Sequence, residues 1–357
     1  MLRNFLYKLI YALLTLFGVV SLVFFLFNVL PGDPAQMMLG QNESSNQLTL
    51  VKKKYGFDLP ISRQYLLYLN DLSPISIHSK DEDELSYFTT EKYSAFPIIE
   101  NENYIMTIKW PYLRTSYQKR GKKVSVVIAD TFSNTFVLAV ASILISIILG
   151  ILFGIVATLV HNSWIDRWLQ ILSTLGMSVP SFFSAILFSW FFGFLYHQYT
   201  GLNMSGSLYE MDDFGEGRVL QLKNLILPSV VLGIRPIAVI IQLMRSSLLD
   251  VLSQDYIKTA YSKGMSTYHV IYYHGIKNAL NPVVTVISGW FASLLAGAIF
   301  VEYIFGWKGM GKEIVTALNT LDIPVIIGIV LTLSSLFILI NLAVDFIYAQ
   351  LDPKVKL

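Results

Sequence analysis

Six apolar runs organise the chain, at about 9–30, 134–160, 171–197, 225–245, 283–305 and 324–349. Each approaches the roughly 20 helical residues needed to cross a hydrocarbon core about 30 Å thick. The pattern predicts an all-α membrane protein with six transmembrane helices. One segment outside the spans, 31–130, is large enough for a domain. Pro31-Gly32-Asp33-Pro34 is expected to end the first helix, since proline lacks a donor and Gly-Asp favours a turn. LTLVKKKYGFDLPISRQYLLYLN then predicts a short helix, a turn over Gly56–Pro60 and a second helix. The stretch 74–110 is polar around Lys80-Asp81-Glu82-Asp83-Glu84, a pattern expected of a solvated loop. It then turns mixed and aromatic in YIMTIKWPYL, which fits strands. VSVVIADTF, 124–132, reads as a surface helix leading into the second span. The segment 198–224, with Gly201, Gly206, Gly215 and Gly217, reads as a connection.

Composition agrees with this pattern. The chain of 357 residues is 54% hydrophobic and 14% charged, with a mean hydropathy of +0.56. A soluble domain carries about 25% charged residues, so this chain cannot cover itself with water-compatible surface. A formal charge of +2 gives no reason to expect a nucleic acid partner, and the absence of cysteine excludes disulfides and thiolate metal sites. Arg3 and Lys8 before the first span resemble the start of a signal peptide. The apolar run of about 22 residues is too long for one, and VLPGDPA offers no small-x-small cleavage site, so the segment is expected to stay as a membrane helix.

Orientation follows from lysine and arginine in the short loops. With the N-terminus inside, the inner segments hold Arg3, Lys8, Arg167, Arg245, Lys258, Lys263, Lys277, Lys354 and Lys356, which is nine. The short outer loops hold Arg218, Lys223, Lys308 and Lys312, which is four. Both termini are therefore expected in the cytoplasm. The largest cytoplasmic piece is 246–282, and the first extracytoplasmic segment is 31–130.

GWKGMGKE, 306–313, shares most of its spacing with a phosphate-binding loop. Glu313 stands where that loop needs Ser or Thr for magnesium, and no α/β domain fits between these spans. A glycine turn between two helices is the simpler reading, with Gly309 and Gly311 supplying positive φ. Enzyme motifs are missing. There is no HExxH and no GxSxG, and His78, His161, His197, His269 and His274 are scattered. An ion-coupled secondary transporter should place ionisable groups at mid-membrane. The clear case is Arg235, before Pro236, which faces a water-filled path or makes a structural contact; Glu302 and Asp345 lie nearer span ends. The loop 246–282 predicts two helical stretches, about 246–262 and 266–280, broken at Gly264. Ser266 caps the second and Pro282 follows its end. Tyr268, Tyr272 and Tyr273 near the tip suit insertion into a groove on another protein.

At this loop the sequence resembles a known family. DYIKTAYSKG, a following stretch ending KNALNPVVTVI, and the spacing between them resemble the coupling loop of ABC importer permeases of the peptide/nickel transport family. LPGDPA, YGFDLPISRQYLLYL, ILPSVVLGIRP, MRSSLLDVL, LLAGAIFVEYIFGWKGMGKEI and NLAVDFIYAQLDPKVKL agree in order, covering about 1–73 and 111–357. The first of that family's two membrane subunits is the better match. Lys258 stands at a commonly acidic position, Lys308 at a common proline and Gln242 at a common arginine, and 74–110 is longer than in typical members.

The resemblance implies a type I ABC importer fold in a bacterial inner membrane. Its domains are a first helix in 1–30, the mixed extracytoplasmic segment 31–130 with an atypical insertion at about 74–110, the transmembrane domain 131–350 and a tail 351–357. It implies a sister permease as heterodimer partner, two ATPase subunits and an extracytoplasmic binding protein, with membrane lipid around the spans. No cofactor is expected on this chain, and ATP and magnesium belong to the ATPase subunits. Coupling is assigned to Lys258, Thr259, Ala260, Gly264, Tyr268, Tyr272, Tyr273, Asn278 and Pro282, and the path to Arg235, Pro236 and Gln242.

Overall fold

The computed structural model describes residues 2–29, 33–39, 45–90, 92–119, 121–212, 215 and 217–351. Pro31 and Gly32 of the expected first turn and the tail from 352 onwards lie outside these. The chain is mostly helical and divides into two compact units, Tyr7–Asp130 with Ile314–Ser334, and a second built around Thr131–Glu313. Among the described residues, five helices are long and apolar enough to cross a membrane, or six if one bent pair makes a single span.

The first unit begins with α1 (Leu2–Val29), followed by α2 (Pro34–Leu39), α3 (Ser45–Tyr55) and α4 (Ile61–Leu72). Val20, Val23 and Phe24 of α1 pack with Tyr68 of α4 and with Ile327 and Leu331. The stretch 74–110 carries strands on both sides of its acidic run, and YIMTIKWPYL supplies one of them, as expected. It forms β1 (Ile75–Ser79), β2 (Ala95–Glu100) and β3 (Tyr104–Lys109), an antiparallel sheet in the order β1-β3-β2. The acidic run is an exposed turn between β1 and β2.

A charged cluster anchors this sheet to α4. The buried Asp71 carboxylate accepts from Tyr93 Oη at 3.0 Å and from Arg114 Nε at 2.8 Å. Lys109 Nζ donates to the Asp71 carbonyl. Burial pulls the Lys109 ammonium down to about 8, against the opposing pull of Asp71, and pushes the Tyr112 hydroxyl up to about 12. A second buried carboxylate, Asp322, takes Ser116 Oγ and the Tyr117 amide, fixing the segment after β3 to the start of the last helix.

Helix α5 (Val124–Leu159) runs unbroken for 36 residues, about 54 Å at 1.5 Å per residue. The expected surface helix 124–132 is therefore its first turns, because nothing in VSVVIADTF breaks a helix. Helix α6 (Trp164–Ser178) and α7 (Ser181–Phe188), extended by a π-helical segment Ser189–Leu195, cover most of the expected span 171–197 as a bent pair. They meet at 109°. Pro180 lacks a donor, and a residue before proline avoids the helical region; Val179 is extended at ψ 129°. Short α8 (His197–Thr200) and a two-stranded ribbon, β4 (Tyr209–Met211) and β5 (Arg218–Leu220), lead to α9 (Lys223–Leu252).

The α5–α9 crossing is built on small residues every fourth position: Ser142, Ser146, Gly150, Gly154 and Thr158. Such a stripe lets two membrane helices approach backbone to backbone. Ser146 Oγ reaches the Gly233 carbonyl at 3.1 Å. A Cβ on Gly150 would lie 2.6 Å from the Ile240 Cβ, and one on Gly154 2.6 Å from the Met244 Cβ.

After α9 come α10 (Asp255–Ser262), α11 (Thr267–His269), a π-helical segment Val270–Ile276, and α12 (Lys277–Gly297). The last elements are α13 (Ile299–Ile304), α14 (Met310–Asn319) and α15 (Ile323–Leu351). The expected helix 246–262 is two pieces, broken at Ser253-Gln254. The expected stop at Pro282 is absent. Pro282 lies inside α12, and the helical path continues from Thr267 to Gly297. Ser266 sits at the start of α11 without capping a backbone amide; its hydroxyl pairs with His269 Nδ1 at 3.0 Å instead.

Candidate functional site

The hairpin formed by α10, its turn and α11 with the π segment has an apolar inside and an aromatic outside. Ile257, Ala260 and Val270 are buried against one another. The turn needs Gly264, which sits at φ +82°; a left-handed residue with a Cβ costs about 1–2 kcal/mol. A Cβ there would touch nothing, so the constraint is backbone alone. Tyr268, Tyr272 and Tyr273 all face outward, Tyr268 at 71% exposure. The Tyr268 and Tyr272 rings stack at 6.0 Å and 7°, and Tyr273 meets Tyr272 edge-on at 5.0 Å.

Lys258 is exposed and pairs with Asp255 at 2.8 Å, while Thr259 Oγ1 turns back to the Asp255 carbonyl. Asn278 Nδ2 donates to Tyr256 Oη at 2.9 Å, tying α12 to α10. The structure thus gathers Lys258, Thr259, Tyr268, Tyr272, Tyr273 and Asn278 on the outside of one hairpin. It places Ala260 inside it, Gly264 at its turn and Pro282 on the helix beyond.

Before the hairpin lies a pair that sequence reasoning missed. Arg245, near the end of α9, forms a two-pronged bond with Asp166 of α6: Nε to Oδ1 at 2.6 Å and Nη2 to Oδ2 at 2.8 Å. Arg245 Nη2 also donates to His161 Nδ1 at 3.0 Å. The Asp166 side chain is 1% exposed and accepts from the Asn162 amide and from Gln170 Nε2.

The three path residues do not share one face. Arg235 is exposed and borders a cavity of about 70 Å³ beside the α6–α7 bend, with Ser181, Ser184 and Ser293. Gln242 lies seven residues on, nearly two full turns, so it shares the Arg235 side of α9. Pro236 is buried on another side.

GWKGMGKE does hold a carboxyl group, the chain's own. Glu302, fully buried, accepts from the Gly311 amide at 2.7 Å and from the Lys312 amide at 3.2 Å. The positive φ belongs to Gly306, at +68°, rather than to Gly309 or Gly311. Those two glycines leave room instead. A Cβ on Gly309 would lie 2.4 Å from Glu302 Oε2, and one on Gly311 2.5 Å from the Ile299 Cα. Trp307, also fully buried, donates from Nε1 to the Asn134 carbonyl at 2.9 Å. Gly311→Ala is expected to cut the yield of folded, monodisperse protein several-fold, because its neighbour is rigid backbone. A size-exclusion profile equal to wild type would show that the loop can relax.

Among the described residues, five helices long and apolar enough to cross a membrane, or six with the bent α6–α7 pair, mark a membrane protein. Two family models match the chain: "Binding-protein-dependent transport system inner membrane component" over residues 150–357, and the N-terminal membrane component of the same systems over 1–81. The chain belongs to this family of ABC importer permeases. Such proteins are multi-pass inner-membrane components without catalytic activity of their own, and they work with ATPase and substrate-binding partners.

A dipeptide transport system permease of Alkalihalophilus pseudofirmus is 32% identical over 354 residues, 96% of this chain and 95% of that one. A glutathione transport system permease of Salmonella paratyphi A is 32% identical over 342 residues, with the same coverage. Among solved structures, an inward-facing methionine ABC transporter matches 64% of this chain and 97% of its own at a TM-score of 0.50 and 14% identity, a likeness of fold.

Proposed function

We propose that this chain, with a sister permease, forms the translocation path of a peptide importer and takes its motion from ATPase subunits through the 246–282 hairpin. The observation that carries the reading is the hairpin: a packed inside, a fixed turn and three outward tyrosines on a frame tied to α12. Relatives named for dipeptide and glutathione transport support a peptide-like cargo, with nickel chelates or other small solutes as the alternative cargo. In this reading the α6–α7 pair is one bent span, giving six, and both termini are cytoplasmic. ATP and magnesium bind the ATPase subunits.

The mechanism is a two-state equilibrium biased from both ends. ATP closing the ATPase dimer draws the hairpins together. The α9–α12 frame carries the rotation outward and opens the cavity toward a docked binding protein. Hydrolysis restores the inward state. In vesicles containing the full assembly, labelled dipeptide uptake should require ATP and the binding protein. Uptake that persists without ATPase subunits and collapses with the proton gradient would establish the ion-coupled alternative.

Arg235 is proposed to line the path and attract a peptide carboxylate; at the reduced dielectric of a membrane cavity one charge is worth a few kcal/mol. Arg235→Gln is expected to lower uptake of free-carboxylate peptides about tenfold and leave amidated peptides nearly unchanged. Equal uptake of both by wild type and variant would remove Arg235 from the path.

A further inference from the structure

The sheet in the 74–110 insertion is inside out. An antiparallel sheet with one wet face turns its apolar residues inward. Here Ser76, His78, Thr107 and Lys109 point in and are buried, with Ile105 the apolar residue among them, and Ser76 Oγ is bonded to His78 Nε2 at 2.8 Å and to Thr107 Oγ1 at 3.1 Å. The open face carries two apolar rows across all three strands: Ile75–Ile108–Phe96 and Ile77–Met106–Ile99. Phe96 is 79% exposed, and Trp110, just past β3, is 83% exposed. A one-residue slip would turn the apolar rows inward, but the buried hydroxyl–imidazole network and the Lys109–Asp71 bond hold the register. A contiguous apolar patch of this kind on a folded unit marks a contact surface.

Charge at one end of the sheet selects the occupant. Asp81, Glu82, Asp83, Glu84, Glu100 and Glu102 are all exposed there, and the lysine among them, Lys80, is paired with Glu100 at 2.7 Å. An anionic rim is repelled by an anionic bilayer surface and by a second copy of itself. It attracts a protein whose contact patch is apolar at its centre and basic at its edge. We propose that this sheet face is the docking surface for the transporter's soluble binding protein, seated by its apolar rows and steered by its carboxylate end. The proposal rests on the importer reading above and assigns the docking role to a segment that departs from the family's usual length.

The test uses the full transporter in nanodiscs and its purified binding protein, with association read by interferometry. Phe96→Ser/Ile108→Thr changes only exposed side chains, so folding and basal ATPase activity should stay at wild-type level. The dissociation constant is expected to rise at least tenfold. Glu82→Lys/Asp83→Lys should slow association several-fold and flatten its salt dependence. If wild type binds and the apolar variant binds equally well, the docking surface lies elsewhere while the importer reading stands. If wild type binds no binding protein at all, that reading fails with it. The chain has no cysteine, so Ile77→Cys gives a single labelling site. Quenching of that label by brominated lipid, or a transporter dimer lost in the apolar variant, would assign the face to lipid or to a second copy and overturn the proposal.

Discussion

Tyr272→Asp is expected to abolish the stimulation of ATP hydrolysis by substrate while the membrane subunits still assemble. Tyr272 is more than half exposed and stacked on Tyr268, so its removal opens no cavity in this chain. What it removes is an amphipathic anchor of the kind that dominates protein interfaces. What it adds is a charge, which a desolvated groove can accept only at a cost of several kcal/mol. Gly264→Pro should reach the same phenotype by another route. Proline holds φ near −65°, and this turn needs +82°. Its ring also deletes the Gly264 amide that donates to the Tyr261 carbonyl at 2.9 Å. The first variant spoils the tip and the second spoils the lever. Gly264→Ala, strained by only about 1–2 kcal/mol, should retain partial stimulation. Stimulated hydrolysis at wild-type rates in both Tyr272→Asp and Gly264→Pro, measured in proteoliposomes with binding protein and substrate, would take the coupling role away from this hairpin.

Apolar length alone located the five helices long enough to cross a membrane and the bent α6–α7 pair, because a 20-residue run with so little charge has few other folds open to it. The bend at Val179–Pro180 was written in the sequence too, as a proline in mid-span, and so was the small-residue stripe from Ser142 to Thr158. Both need a question about helix-to-helix approach that hydropathy does not ask. GWKGMGKE was legible as a turn and misread in detail. Its glycines at 309 and 311 answer to the Glu302 carboxylate and the Ile299 backbone, contacts made only after folding. In 74–110 the solvated acidic run and the strand in YIMTIKWPYL were legible, and the direction of the sheet's faces was not. The sheet's apolar residues alternate with hydroxyls, imidazole and lysine, and ordinary pattern logic assigns the apolar set to the inside. Here Asp71, which precedes β1, collects Lys109 and Arg114 and makes the polar face the buried one.

Arg245 and Asp166 lie 79 positions apart, and one sequence offers nothing to pair them, yet their separation is expected to have the largest effect on stability. Removing either partner leaves the other charge without its counter-ion, which costs about 3–5 kcal/mol in a dry interior. The pair sits near the ends of α6 and α9, where water is closer, so the lower figure, about 3 kcal/mol, is the better expectation. Asp166→Ala and Arg245→Ala should each lower the thermal midpoint of the purified protein by several degrees. Asp166→Leu/Arg245→Met should recover most of the loss, since two apolar side chains of similar length leave no unpaired charge. The double mutant separates two roles. If the pair only stabilises, restored folding brings restored coupling. If its two-pronged geometry also fixes the angle at which α9 enters the hairpin, the double mutant folds normally and still transmits poorly. The second outcome is expected, because Leu and Met pack without direction, whereas the fork of Nε and Nη2 on two carboxylate oxygens admits one orientation. Full stimulated ATPase activity in a stable double mutant would reduce the pair to a structural staple.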